Sequence, residues 1–421
     1  MKLKEKNNNL KENGITLIAL IVTIVILLIL AGVTLNAVFS DNGIIKMARD
    51  AQTKTDQGMQ KDLEPMGALE DLINKNAGEN KGEEAVKIST MVGKGAVTKN
   101  TKAVDAYENK ITIPKGFKVL SHNPTSSTGA VTYTYNEDNT PAVQDGIVIE
   151  NGTDGNQFVW VPVGTIKNKN NTTNTITLGR YEFDSNTGAL KSNTPAQVAS
   201  VENCTQEVVI SNSCKELSVF RAGNTATDST AQNATARNLK EFISTTLSNG
   251  GYYIARFEAS GTASKITSKY NQTVLGNITQ PNAAKAAREM YGEVKENNEL
   301  VYASDLVNSY AWDTAIIFIQ TYSGKTDYAS HNESKTTKAF TATGKNNDKY
   351  CNIWDMSGNA YEWTTEYSTY AITSDFRPCV YRGGYYNADL GLAINYTSYR
   401  YYHRTTYSLS DLGLRPLLYV K

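Results

Sequence analysis

The sequence predicts an α+β protein in two parts, an N-terminal transmembrane and stalk helix followed by a globular domain rich in irregular structure. Three observations predict it. Residues Ile15 to Ser40 carry no charge. From about Thr112 onward, short apolar runs alternate with Gly, Asn, Thr and Asp, as strands alternate with polar turns. Two longer stretches, Ala234 to Ser248 and Leu306 to Tyr322, space their apolar residues at helical intervals.

Taken as a helix, the uncharged run from Ile15 spans roughly 35–40 Å, enough to cross a bilayer. Lys2, Lys4, Lys6 and Lys11 precede it, and that positive excess places the N-terminus in the cytoplasm and the bulk of the chain outside. A secretory signal would need a shorter apolar core ending in a small-residue cleavage site, which this run lacks. Asp41, Asn42 and Gly43 break the helix. Ile44, Ile45, Met47, Ala48 and Ala51, then Leu63, Met66, Leu69, Leu72 and Ile73, continue it as an amphipathic stalk interrupted at Pro65. The predicted membrane and stalk helix therefore covers 15–73. Residues 74–110 are rich in Gly, Lys, Asn and Glu and read as a linker.

The 421 residues hold 42 Lys plus Arg against 42 Asp plus Glu, so no basic face points to nucleic acid. Three histidines and four cysteines, with no CxxC, HExxH or Walker-type loop, leave little for zinc, haem or nucleotide chemistry. An extracytoplasmic location permits disulfides, and Cys204 with Cys214 and Cys351 with Cys379 are candidate pairs among the three pairings that four cysteines allow. Tyrosine, at 25 residues, far outnumbers Phe at 10 and Trp at 4. Tyr is the side chain that binding surfaces use for amphipathic area at low entropic cost.

The body segments ITIPKGFKVL, VTYTY, GIVIE and NQFVWVPVG read as strands, and Lys167 to Thr177 and Ala222 to Thr235 as solvated loops. Trp160, Trp312, Trp354 and Trp363 supply buried area, while Arg256, Glu258, Glu362 and Arg382 can tie turns together. The turn Ser357, Gly358, Asn359, followed by Glu362, sets a carboxylate near exposed carbonyls, which makes Asn359 and Glu362 candidate calcium ligands; a hydrogen-bonded turn is the competing reading.

The basic segment ending in Gly14 and followed by Ile15, Thr16, Leu17, Ile18, Ala19 and Leu20 resembles a type IV prepilin leader. That resemblance implies cleavage after Gly14 by a prepilin peptidase, methylation of Ile15 as the new terminus, and pilin-like subunits as partners, with 1–14 as the leader. The family's acidic fifth mature residue is Ala19 here, which argues against assembly as a major pilin. A plain uncleaved anchor is the alternative.

The segments Gly155 to Val163, Gly250 to Ser260, the Trp312 helix, Asn352 to Thr364, Val380 to Tyr386 and Asp411 to Val420 come in an order that resembles the C-type lectin-like fold of formylglycine-generating enzymes and sulfatase-modifying factors. Together they cover 111–421. Relatives bind calcium in the Asn359 and Glu362 region, so a structural calcium is implied, with no other cofactor required. The family's copper chemistry needs paired cysteines near the Arg-Gly-Gly segment, and none follows Arg382. Iron-dependent relatives use histidines, but His122, His331 and His403 show no facial-triad spacing.

Between Tyr381 and Tyr407 lie eight tyrosines with Asn, Ser, Asp, His and Arg between them, the composition of a paratope. This tract resembles the variable region of proteins diversified by retroelements, which implies adenine-directed rewriting of its surface codons. The expected ligand contacts are Tyr386, Asn387, Asn395, Tyr396, Ser398, Tyr399, Tyr401, Tyr402, His403 and Tyr407, gripping an external protein or glycan. The expectation is thus a noncatalytic adhesin-like or receptor-like protein at the cell surface. The alternatives are an extracytoplasmic oxidoreductase using Cys351 or Cys379 with copper, and a minor pseudopilin.

Overall fold

The structure is a computed structural model that describes residues 85–120, 141–204, 206, 208–210, 213–216, 235–332, 340–372, 375–386 and 396–421. The chain divides into two compact units, Met1–Glu84 and Ala85–Lys421. The expected leader, membrane span and stalk, with Gly14, Ile15 and Ala19, lie outside the described residues, as does the VTYTY run. Among the described residues no helix is long and apolar enough to cross a membrane.

The second unit is built on a seven-stranded antiparallel sheet. Its strands, in chain order, are β1 (Phe117–Val119), β2 (Val148–Asn151), β3 (Gln157–Pro162), β5 (Gly251–Ala255), β6 (Glu293–Glu296), β7 (Glu299–Leu306) and β12 (Pro416–Val420). They lie in the order β6-β7-β12-β5-β3-β2-β1, so the last strand of the chain sits inside the sheet, third of the seven. A second sheet comprises β4 (Cys214–Glu216), β8 (Tyr361–Ser368), β9 (Cys379–Arg382) and β10 (Tyr401–His403) in that order, with β11 (Leu412–Leu414) parallel to β8.

Alternation along the strands of the large sheet explains its two cores, because successive side chains point to opposite faces. Val159, Val161, Tyr252, Ile254, Leu417 and Tyr419 pack on helices α1 (Leu239–Asn249) and α3 (Ser309–Tyr322). Their neighbours Phe158, Trp160, Tyr253, Ala255, Leu418 and Val420 pack the other way, on Ile88, Ala103, Ile111 and Ile113. Those last residues belong to a small sheet of Val86–Lys87, Thr101–Val104 and Lys110–Ile113, together with the one-turn helix Ile88–Met91. The stretch expected to be linker is therefore folded from Ala85 onward. A few apolar side chains at wide spacing cover one face of the large sheet; the lysines between them stay outside, while Asp105 is buried and accepts from the Tyr107, Asn109 and Val143 amides.

Helix α1 begins at Asn238, whose side chain accepts from the Glu241 amide, and ends at Gly250 in the left-handed region, φ 76°. Helix α3 is capped by Asn308, which accepts from the Ala311 amide. Its apolar residues fall at helical intervals, yet every residue from Ser309 to Ile316 is buried, because its polar side meets the second sheet. A third helix, α2 (Gln280–Glu289), sets Ala283, Ala284, Ala286 and Ala287 against Trp363, Leu412 and Leu414. The expected loop from Lys167 to Thr177 is in part a strand, Thr173–Ile176, hairpinned onto Gly164–Lys167 with Ile176 buried. This mostly stranded architecture, with three helices of ten or more residues among the described ones, is consistent with the expected C-type lectin-like class.

Candidate functional site

The tyrosine tract is mounted on the second sheet. Strand β10 pairs with β9 in the register Cys379↔His403, Val380↔Tyr402 and Tyr381↔Tyr401. Among the described residues it lies at the end of the strand order, so its outer side is an edge of the described sheet. The departing limb turns at Gly383 and Gly384, with φ of 99° and 92°, a region that L side chains rarely adopt. A Cβ on Gly383 would also stand 3.2 Å from the Met356 carbonyl oxygen. The returning limb is pinned by its backbone: the Thr397 and Ser398 amides donate to the His331 and Ala329 carbonyls, and Trp312 Nε1 donates to the Thr397 carbonyl at 3.0 Å.

Beneath the tract lies a buried ionic foundation. Arg382 Nη2 meets Asp313 Oδ1 at 2.6 Å, and its Nη1 meets Glu366 Oε2 at 3.0 Å. Arg400 Nη2 meets Asp313 Oδ2 at 2.5 Å, and its Nε meets Glu366 Oε1 at 2.8 Å. Arg180 adds a third guanidinium at 3.0 Å from Glu366. Burial opposes ionisation of Glu366, but Arg400, Arg382 and Arg180 outweigh it and hold the carboxyl well below its ordinary range. Burial likewise disfavours the charged Arg400, and Asp313 and Glu366 more than restore it. Arg382 lies on the departing limb of the tract and Arg400 on the returning limb, so the two limbs share one pair of carboxylates. The signal for this foundation in the sequence is Asp313, a charge within an otherwise apolar helical stretch.

Above the foundation the rings form a chain. Tyr396 and Tyr399 have centroids 5.2 Å apart, Tyr399 and Tyr401 5.8 Å, Tyr401 and Tyr402 5.2 Å with planes 3° apart, and Tyr402 and Tyr370 4.6 Å. His403 stacks on Tyr407 at 3.3 Å. Tyr386 makes an edge contact with Phe340, itself 37% exposed, and donates its amide to the Asn359 carbonyl. Burial, then the phenols of Tyr370 and Tyr401, push the Tyr402 hydroxyl up to about 12, so it remains a protonated donor near neutral pH.

Of the expected contacts, Tyr386, Tyr396, Tyr401, Tyr402, His403 and Tyr407 are half-buried, each ring keeping part of its surface in water. Ser398 and Tyr399 are only 5% and 8% exposed, so they line the interior of the tract instead of its rim. Asn387 and Asn395 lie outside the described residues.

The expected calcium ligands are engaged with protein partners. Both oxygens of Glu362 receive Arg415, Nε at 2.9 Å and Nη2 at 2.5 Å. Asn359 Oδ1 accepts from the Thr341 amide, and its Nδ2 donates to Glu258 Oε2 at 2.6 Å. The arrangement is the hydrogen-bonded turn, and among the described residues no group of three or more His, Cys, Asp or Glu is placed to hold a metal ion. The expected disulfides, Cys204 with Cys214 and Cys351 with Cys379, are not formed in this structure. Cys379 sits in the cluster around Trp363, Cys351 packs against the α3 core, and Cys204 Sγ contacts the Val201 carbonyl at 3.2 Å. Burial pushes the Cys214 thiol up to about 12 and raises that of Cys351 well above its ordinary value.

No protein-family model matches the chain, and no curated protein is similar to it. Several solved structures overlay on it loosely. Variable protein 1 of Treponema denticola is 12% identical with a TM-score of 0.32, covering 64% of this chain and 97% of that one. The P3c variant of the Major Tropism Determinant is 13% identical with a TM-score of 0.28, covering 80% of this chain and 98% of its own. The crystal structure of CarF is 15% identical with a TM-score of 0.28, covering 41% of this chain and 87% of its own. At such TM-scores these overlays carry no argument about function, which rests on the site itself.

Proposed function

We propose that this chain is a noncatalytic binding protein, displayed outside the cell from its N-terminal apolar helix, whose tyrosine face takes an external ligand. The observation that carries the reading is the pairing of a half-buried aromatic chain on a sheet edge with a fully buried ionic foundation. Aromatic rings held rigidly and partly exposed to water offer contact area without a large ordering cost. The raised thiols of Cys214 and Cys351 support the noncatalytic side of the reading, since the thiolate is the reactive form. Glu362, Glu366 and Asp313 are each occupied by arginine. Retroelement diversification of the tract and prepilin-type processing at Gly14 belong to the same proposal.

The test is binding of the detergent-solubilised full chain to arrays of extracellular proteins and of glycans. Wild type is expected to bind a defined subset, and Tyr401→Ala/Tyr402→Ala to lose that binding by tenfold or more. Binding untouched by the double substitution would refute the assignment of the face. Two further observations address the rest. Neighbouring DNA should hold a reverse transcriptase gene and a near-copy of the coding region for 381–407 differing only at adenines. Co-expression with a prepilin peptidase should give a mature N-terminus at a methylated Ile15.

A further inference from the structure

Beside the aromatic chain a cavity of about 270 Å³ opens between the Phe183–Ser185 turn and the returning limb of the tract. It is many times the ~10–15 Å³ that one water needs on the same measure and below the range of drug-sized pockets, so it suits one small ring-sized group. We propose that this cavity is a subsite for a single neutral pyranose ring, and that the ligand of the tyrosine face is therefore a glycan. The inference rests on the reading of that face as the ligand-binding surface and goes further by naming the chemistry it selects.

Two aromatic residues, Phe183 and the half-buried Tyr396, border the space and offer ring faces to the apolar C–H side of a sugar. The polar groups are set for hydroxyls. The Asn186 and Thr187 amides and the Thr187 hydroxyl all donate to Oδ1 of Asp184, which holds its carboxyl below the usual range and fixes its direction. Its Oδ2 receives no hydrogen bond from the described residues and is an acceptor fixed in place before a ligand arrives. Ser398 is 5% exposed, lines the cavity, and its hydroxyl makes no hydrogen bond to the described residues. A buried hydroxyl opening only into a cavity can both donate to and accept from a sugar hydroxyl.

Charge decides against an anionic ligand. The two cations of the lining are already matched, Lys191 by Glu182 at 3.0 Å and Arg400 by Glu366 and Asp313. An anion would find no uncommitted cation and would meet Asp184. A hydroxyl-rich neutral ring avoids that penalty. The cavity lies at the Tyr396 end of the aromatic chain, so a glycan whose terminal ring enters it can extend toward Tyr401 and Tyr402.

The full chain in detergent, as wild type, Asp184→Asn, Ser398→Ala and Tyr401→Ala/Tyr402→Ala, is tested on a glycan array and an extracellular-protein array. Saturation-transfer NMR with methyl glycosides of glucose, galactose and mannose accompanies the arrays. Asp184→Asn keeps the oxygen that closes the turn and removes the free carboxylate acceptor. The expected result is glycan binding by wild type, saturation of at least one methyl glycoside, and loss of both by tenfold or more in Asp184→Asn and Ser398→Ala with an unchanged melting temperature. Glycan binding that survives both cavity substitutions overturns the subsite. Binding to proteins only, lost in the tyrosine double variant and kept in Asp184→Asn, overturns the glycan inference while leaving the tyrosine face intact. No binding on either array overturns both.

Discussion

Arg400 sits among the tyrosines in sequence but belongs to the interior, and the distinction has energetic consequences. Removing its side chain leaves Asp313 and Glu366 each short of a charge partner in a buried site, and breaking a buried pair from one side costs about 3–5 kcal/mol. Arg400→Ala should therefore lower the melting temperature sharply, whereas Tyr402→Ala, at a partly wetted position, should hardly move it. A second residue-scale prediction concerns Asp355, which burial pushes up to about 7 from an ordinary 3.8 even though the Gly344 amide donates to it. The folded state therefore holds this proton more tightly than the unfolded chain does. The stabilisation from this group is complete below about pH 4 and is lost as pH rises through 7. Glu366, depressed, works in the opposite sense, and its stabilisation fades as pH falls below about 4.5. Melting temperatures measured from pH 5 to 8 should fall toward pH 8 in wild type and fall less in Asp355→Asn, which keeps an oxygen for the Gly344 amide.

At the scale of elements, legibility followed the local pattern. The run NQFVWVPVG and the strand Gln157–Pro162 coincide because continuous apolar residues bounded by Gly and Asn leave few alternatives. Helix α2 was not legible: its buried stripe is alanine, which carries little hydrophobic signal, and only its packing on Trp363 gives the stripe meaning. The segment from Ala85 to Lys110 read as linker because its few apolar residues are isolated, and what they cover is a sheet formed by residues far away in sequence. In the candidate site, tyrosine-rich composition was visible along the chain, but which rings face water was not. That is set by the β9–β10 register and by the pairing of Arg382 and Arg400 with Asp313 and Glu366, carboxylates contributed from other segments. Two substitutions follow. Ala284→Leu should overpack the α2 contact and cost about 1–3 kcal/mol, read by denaturant unfolding. Asn308→Ala should cost about 1 kcal/mol through loss of the α3 cap, an effect that Asn308→Ser should largely spare.

For the molecule as a whole, the account separates a foundation from a face. The foundation is three arginines and two carboxylates locked between α3, β8 and the two limbs of the tract; the face is the line of phenols above it. Changes in the face should alter what is bound and leave the fold alone, a property that a display protein needs and an enzyme does not. The most direct measurement pairs affinity with melting temperature for the full chain in Tyr402→Ala and Arg400→Ala, using the array-identified ligand. The account predicts at least tenfold weaker binding in both, with the melting temperature nearly unchanged in Tyr402→Ala and strongly lowered in Arg400→Ala. A Tyr402→Ala protein that loses stability in step with binding, or that binds as wild type, would contradict it.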